Sequence, residues 1–326
     1  MVMTLIIVKL VAGLSVLTLG ADWLVKGSSK FALSVGIKPL IIGLTLVAFG
    51  TSTPELTVSV KSAIDGDAGI SLGNVIGSNI CNIGLILGIC ALIKPLPVSR
   101  DMYRRDIPFM LLASVLLAVL PFLGGPVTLG DSVGFELSRW KAGVFLFVFV
   151  VSLWVQFRST GGGADLEQPQ DKPKDASRVG FLGLALVGLV ALVGGGYFFV
   201  DGAVELALIL GMSQLVIGLT IVAIGTSLPE FATSLIASIR GQADIAVGNV
   251  VGSNIFNILF ILGVAGLIAP MVLEPKILQV DIPVMILMAL LLPLLSWRKR
   301  KLGRMGGAVI LALYAAYSFN LFFDWI

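Results

Sequence analysis

The chain has no histidine, only two cysteines in 326 residues, and a charged fraction of 13%. Each shortage excludes something. Without histidine there is no Ser/His/Asp or Cys/His nucleophile set and no His-ligated zinc, so an enzyme is not expected. Cys81 and Cys90 fall in one apolar stretch, give no disulfide framework and read as packing residues. The scarcity of charge is the more telling lack, because a water-facing surface needs polar side chains. Hydrophobic residues make up 57% of the chain and the mean hydropathy is +1.03. The solvent that accepts such a surface is lipid.

A spanning helix takes roughly 17–25 apolar residues. Stretches of that kind fall near 4–25, 39–63, 70–93, 107–124, 141–157, 179–207, 214–238, 245–268, 280–297 and 305–323. The expectation is an all-α membrane protein of ten transmembrane helices.

With ten spans, successive connections alternate sides. One side collects Lys30, Lys38, Lys94, Arg100, Arg104, Arg105, Arg158, Lys172, Lys174, Arg178, Arg240, Arg304 and the run Arg298-Lys299-Arg300-Lys301. The other holds Lys61, Arg139, Lys141 and Lys276. Lys and Arg concentrate in cytoplasmic loops, so the crowded side is read as cytoplasmic and both termini as outside. These charges are read as topological signals and not as a nucleic-acid surface.

An internal repeat runs through the chain. Residues 39–96 align without a gap on 214–271 at an offset of 175, with 32 of 58 positions identical. The same offset carries Gly20 onto Gly195, Gly27 onto Gly202 and Gly36 onto Gly211, so the first span corresponds to the sixth. A cleaved signal peptide is therefore not expected at the N-terminus. The halves are 1–157 and 179–326, joined by a polar, Gly- and Pro-containing linker at 158–178. Five spans per half is an odd number, so the second half enters the membrane inverted. Inverted repeats of this kind place a binding site near the midplane of secondary transporters.

Two segments in each repeat break the apolar pattern. The first is Gly50-Thr51-Ser52-Thr53-Pro54-Glu55, matched by Gly225-Thr226-Ser227-Leu228-Pro229-Glu230. A charge at mid-membrane costs about 2.5–3.5 kcal/mol on insertion scales and marks function. Two close carboxylates repel, so they must be neutralised by protons or by a shared cation. Pro54 and Pro229 remove the helical donors for the carbonyls of Gly50 and Gly225. Those carbonyls, with the hydroxyls of Thr51, Ser52, Thr226 and Ser227, form an all-oxygen donor set of the kind hard cations take.

The second segment runs from Gly73 to Asn82, matched by Gly248 to Asn257. Asn74, Ser78 and Asn82 step by four and share one helical face, as do Asn249, Ser253 and Asn257. Such a stripe faces the bundle interior, either to bind a cation or to hydrogen-bond between helices. Asn82 and Asn257 are read as site residues. Asn74, Asn79, Asn249 and Asn254 are read as structural. Gly73/Gly77 and Gly248/Gly252 allow close helix approach. Asp201 and Glu205, which align with Lys26 and Lys30, are read as solvated helix ends.

Together, GTS-x-PE followed by GNxxGSN-xx-N in both halves resembles the alpha repeats of the cation/calcium exchanger superfamily. The likeness is closest to its prokaryotic sodium/calcium exchanger branch and covers essentially the whole chain. The resemblance implies ten helices in two inverted halves; the chain is read as multi-pass in the plasma (inner) membrane, with the 158–178 loop cytoplasmic on its charge distribution. It implies an antiporter exchanging Ca²⁺ for Na⁺, with these ions as substrates and no cofactor. Carried over by motif position, Glu55 and Glu230 are the central carboxylates. Thr51, Ser52, Thr226 and Ser227 contribute hydroxyl or carbonyl oxygens, as do the main-chain carbonyls of Ala48 and Ala223. Ser78, Asn82, Ser253 and Asn257 complete the set. Asn257 stands where potassium-dependent relatives carry Asp, which leans away from K⁺ dependence.

The expected mechanism is alternating access, with the two ions excluding each other from one site. The alternatives are a proton-coupled or K⁺-dependent cation antiporter and, further off, a cation channel. Beyond the ions and the lipid bilayer, no protein partner is indicated.

Overall fold

Apolar runs bounded by glycine, proline and charge dictate where helices start and stop. The computed structural model of the protein describes residues 2–129, 132–158, 178–211 and 223–323. The linker at 159–177 and the opening of the second repeat motif at 214–222 lie outside the described residues.

The first half opens with α1 (Val2–Val35). Three short helices follow, α2 (Pro39–Ile42), α3 (Ala48–Thr51) and α4 (Thr53–Asp65), the first two joined by a π-helical turn. Next come α5 (Ala68–Cys81), a π-helical turn over Asn82–Leu87 and α6 (Gly88–Ile93). The half closes with α7 (Ile107–Val119) and α8 (Arg139–Arg158). The second half repeats the scheme as α9 (Arg178–Ile209), α10 (Ala223–Thr226), α11 (Leu228–Ile239) and α12 (Ala243–Phe256). A π-helical turn over Asn257–Ile261 leads to α13 (Leu262–Ile268), followed by α14 (Ile282–Ser296) and α15 (Arg304–Phe323). The π-helical turns at 82 and 257, and those beginning at Met102 and Ile277, recur at the repeat offset.

Among the described residues, seven helices are long and apolar enough to cross a membrane, and eight if the bent pair Pro39–Thr51 and Thr53–Asp65 is one span. The shortfall from ten falls at two expected spans. The span expected at 214–238 is described only from residue 223, leaving Leu228–Ile239 as a shorter apolar helix. The one expected at 305–323 is the 20-residue helix Arg304–Phe323, which is not among the seven.

Packing separates a centre from a periphery. In Gly69–Ile93 and Ala243–Ile268, 72% and 78% of the membrane-length stretch is buried in protein, against 22% for α1 and 28% for α9. The two helices that carry the asparagine motifs are thus the core. The outer helices expose Val8, Val11, Val187 and Val190, as lipid contact demands.

Equivalent helices α1 and α9 lie antiparallel against each other. Built side-chain carbons at Gly13, Gly20 and Gly27 meet the backbones of Phe199, Leu192 and Ala185 in turn, so α1 ascends as α9 descends. Only hydrogen at these positions lets the two backbones approach so closely. Lys9, near the start of α1, bonds Asp201 at 2.7 Å and Glu205 at 2.6 Å. The two acids read as solvated ends are therefore partners of a lysine across this contact.

Short strands cap the helices. Leu96–Pro97 pairs with Lys301–Leu302, and Pro126–Leu129, Ser132–Leu137 and Met271–Leu273 form a three-stranded antiparallel sheet.

Candidate cation site

Both glutamates owe their placement to a broken helix. Pro54 and Pro229 lack an N–H, which is harmless in the first turn of a helix and disruptive inside one. The chain accordingly stops and restarts at Ser52 (φ −83°, ψ 10°) and at Ser227 (φ −88°, ψ 5°). In the first half the break bends the span by 48°. Glu55 and Glu230 then fall in the first turns of α4 and α11, where the unpaired N–H groups favour negative charge.

Both carboxylates are buried, each 1% exposed, and each is held by the opposite repeat. Ser52 Oγ donates to Glu230 Oε1 at 2.8 Å, and Ser227 Oγ donates to Glu55 Oε1 at 3.3 Å. Ser52 Oγ also lies 3.0 Å from Ser253 Oγ, and Ser227 Oγ lies 3.4 Å from Ser78 Oγ. The side chains of Thr226 and Thr51 face Glu55 and Glu230, and the two carboxylates lie within electrostatic range of each other.

The asparagines tie this centre together. Asn74 Nδ2 donates to the main-chain oxygen of Glu55 at 3.1 Å and to Ser59 Oγ at 2.9 Å. Asn249 does the same to Glu230 at 3.4 Å and Ser234 at 3.0 Å, and its Oδ1 accepts from Thr51 Oγ1 at 3.1 Å. These two bind α4 to α5 and α11 to α12. Asn82 Nδ2 donates to Asn254 Oδ1 at 3.0 Å, and Asn257 Nδ2 donates to Asn79 Oδ1 at 3.1 Å.

Four buried carboxylate and asparagine oxygens of this centre are left over among the described residues. Glu55 Oε2, Glu230 Oε2, Asn82 Oδ1 and Asn257 Oδ1 accept no hydrogen bond among the described residues. All are acceptors, and they form two pairs related by the repeat offset. An unmet buried acceptor costs about 1–3 kcal/mol, more when charged. A hard cation satisfies such a set, since it coordinates oxygen and needs no donated proton.

Of the remaining residues expected from the sequence, Thr51, Ser52, Ser78, Ser227 and Ser253 are buried at this centre. Thr226 is half-buried at the end of α10, and Ala223 begins that helix. The carbonyl of Ala48 accepts Ser52 N at 3.0 Å and Thr51 Oγ1 at 3.3 Å. Asn79 and Asn254 are the residues whose position the sequence obscured. They sit off the i, i+4 stripe, yet three residues from Asn82 and Asn257 and identical at the offset, which was the available signal. Met110 and Met285, also related by 175, approach the same two amides.

Residues 5–158 and 180–323 match the model of the sodium/calcium exchanger protein family. The chain is 38% identical to the inner membrane protein YrbG of Escherichia coli (strain K12), over 93% of this chain and 92% of that one. It is 33% identical to the sodium/calcium exchanger MaX1 of Methanosarcina acetivorans, over 96% and 97%. Its fold is similar to that of the sodium-calcium exchanger NCX_Mj soaked with 10 mM Na⁺ and zero Ca²⁺. That match has a TM-score of 0.82 and 38% identity, covering 97% of this chain and 98% of the other.

Proposed function

The chain belongs to the sodium/calcium exchanger protein family, and we propose that it is a secondary antiporter exchanging Ca²⁺ for Na⁺ by alternating access. One observation carries the reading: the two carboxylate and two amide oxygens at the centre that have no hydrogen-bond partner among the described residues. They are hard, buried and contributed equally by both halves, as a site shared by competing cations requires.

Two glutamates supply about two negative charges, which one Ca²⁺ neutralises. Na⁺ ions occupy the same oxygens in its absence. In this reading Glu55, Glu230, Asn82 and Asn257 are the principal ligands. Ser52, Ser78, Ser227, Ser253, Thr51 and Thr226, with the carbonyls of Ala48 and Ala223, complete the shell. Exchange then follows from mutual exclusion, with no covalent chemistry.

The reading includes ten spans in two inverted five-helix halves, 1–157 and 179–326. The antiparallel contact of α1 with α9 and the cross-repeat bonding of the glutamates support it. It also places both termini outside and the 158–178 linker in the cytoplasm, on the distribution of Lys and Arg.

The experiment is ⁴⁵Ca²⁺ uptake into vesicles of purified protein driven in turn by outward Na⁺, K⁺ and H⁺ gradients. Only the Na⁺ gradient should drive uptake, and Glu55→Gln and Glu230→Gln should each abolish it. Uptake driven by the pH gradient without Na⁺ would move the coupling ion to the proton. Near-normal uptake in both mutants would remove the site.

A further inference from the structure

The orientation of a side-chain amide decides whether it offers an ion an oxygen or a repelling NH₂ group. Here the orientation follows from main-chain atoms. Asn79 Nδ2 lies 3.4 Å from the main-chain oxygen of Asn254, and Asn254 Nδ2 lies 3.3 Å from the main-chain oxygen of Asn79. A carbonyl oxygen only accepts, so each asparagine must turn its NH₂ group to it. The sulfurs of Met285, 3.7 Å from Asn79 Nδ2, and Met110, 3.9 Å from Asn254 Nδ2, are further weak acceptors on the same side.

The rest is determined by elimination. With their NH₂ groups committed, Asn79 and Asn254 face the next amides with oxygen. Asn257 and Asn82 meet those oxygens at 3.1 and 3.0 Å, and two oxygens cannot bond each other, so Asn257 and Asn82 must donate. Their own Oδ1 atoms are thereby turned out of the clasp, and neither finds a hydrogen-bond partner among the described residues. Asn82 and Asn257 are each 1% exposed, Asn79 1% and Asn254 2%, so water does not offer an easy alternative.

We propose that Asn79 and Asn254 are positioning residues of the cation site, which lock the amides of Asn257 and Asn82 with oxygen toward the ion. The inference rests on the reading of the centre as a cation site. Neither residue touches the ion. Each acts through a ligand supplied by the other repeat, as partners behind a metal's ligands commonly do. The chain of bonds crosses the repeat interface twice, so the polarity of both amide ligands depends on the two halves remaining in register.

The test is a double-mutant cycle read by equilibrium ⁴⁵Ca²⁺ binding to the full-length purified protein. Asn79→Ala releases the Asn257 amide to flip and should weaken Ca²⁺ binding roughly tenfold, the size of one charge-assisted hydrogen bond. In an Asn257→Asp background the same Asn79→Ala change should cost less than about twofold, because a carboxylate presents oxygen either way round. A merely structural role for Asn79 predicts equal losses in the two backgrounds, and equal losses would overturn the proposal. So would no loss in either. Should Asn79→Ala fail to fold, Asn254→Ala in Asn82 and Asn82→Asp backgrounds gives the symmetry-related cycle with the same expected outcomes. Glu55→Gln separates the two levels of the argument. If it leaves Ca²⁺ binding intact, the cation site itself falls. If it abolishes binding while Asn79→Ala changes nothing, only the positioning role falls.

Discussion

Ser52, in the break between α3 and α4, holds Glu230 of the opposite repeat at 2.8 Å, whereas its counterpart Ser227 holds Glu55 at 3.3 Å. The site is thus symmetric in its parts and unequal in its bonds. A hydrogen bond to a buried charge contributes about 1.5–3 kcal/mol. Ser52→Ala should therefore raise the Ca²⁺ half-saturation of exchange roughly tenfold or more, and Ser227→Ala by less. Kinetics of ⁴⁵Ca²⁺ uptake against external Ca²⁺ decide it. Equal, small changes in both variants would show that the serines do not bear on the carboxylates.

The glycine contacts between α1 and α9 make a second, purely structural expectation. A side chain at Gly20 meets the backbone of Leu192, and one at Gly188 meets the backbone of Leu24. Backbone cannot yield as a flexible side chain can, and overpacking costs about 1–3 kcal/mol or more. Gly20→Leu should lower the Tm of the detergent-solubilised protein by several degrees. Gly183→Leu, on α9 with no described residue within 4 Å of the added carbon, should leave it unchanged. Matching Tm values for the two variants would mean the helices do not pack through these glycines.

Much of this was legible in the sequence because it was written twice. The offset of 175 exposed the repeat, and two intramembrane glutamates at equivalent positions marked the centre. Prolines one residue before each glutamate announced the helix breaks at Ser52 and Ser227. Less was legible where partners come from different helices. Periodicity places Asn79 on a helix face but says nothing of Asn254, 175 residues away, and the crossed amide bonds arise only when the two core helices meet. The ion pairs of Lys9 with Asp201 and Glu205 were hidden for the same reason. A charge near a helix end reads as solvated until its neighbour is known.

Asp22 of α1 forms an ion pair with Arg240 at the end of α11 and a second with Lys26 at 2.7 Å. Nearby, Ser29 Oγ donates to Gln242 Oε1 at 3.2 Å. These contacts tie α1 to the helix that carries Glu230, and the tie is not repeated as an ion pair by symmetry, since the residues at the repeat offset from Asp22 and Arg240 are Tyr197 and Asp65. If α1 shifts against α11 during exchange, the tie must break once per cycle. Asp22→Asn should then change the maximal rate more than the half-saturation for either ion, and added salt should narrow its difference from wild type. A change confined to half-saturation would assign Asp22 to ion binding instead.

Lys38 and Asp101 give a pH dependence whose sign is set by geometry. Lys38 Nζ bonds Asp101 Oδ2 at 2.7 Å, between the segment after α1 and the one before α7. The hydrogen bond from Lys38 holds the Asp101 carboxyl below its ordinary value. A group whose folded value is depressed stabilises the folded state at pH above its unfolded value, about 3.9 for Asp. That stability is lost as pH falls through the folded value. Both side chains are more than a third exposed, so the contribution is screened and small. Wild type should exceed Asp101→Asn in Tm throughout pH 5–8, and the two curves should converge as pH falls below about 4. Paired thermal scans from pH 3 to 8 read this directly. A gap that persists at the acid end would show that Asp101 acts through packing and not through its charge.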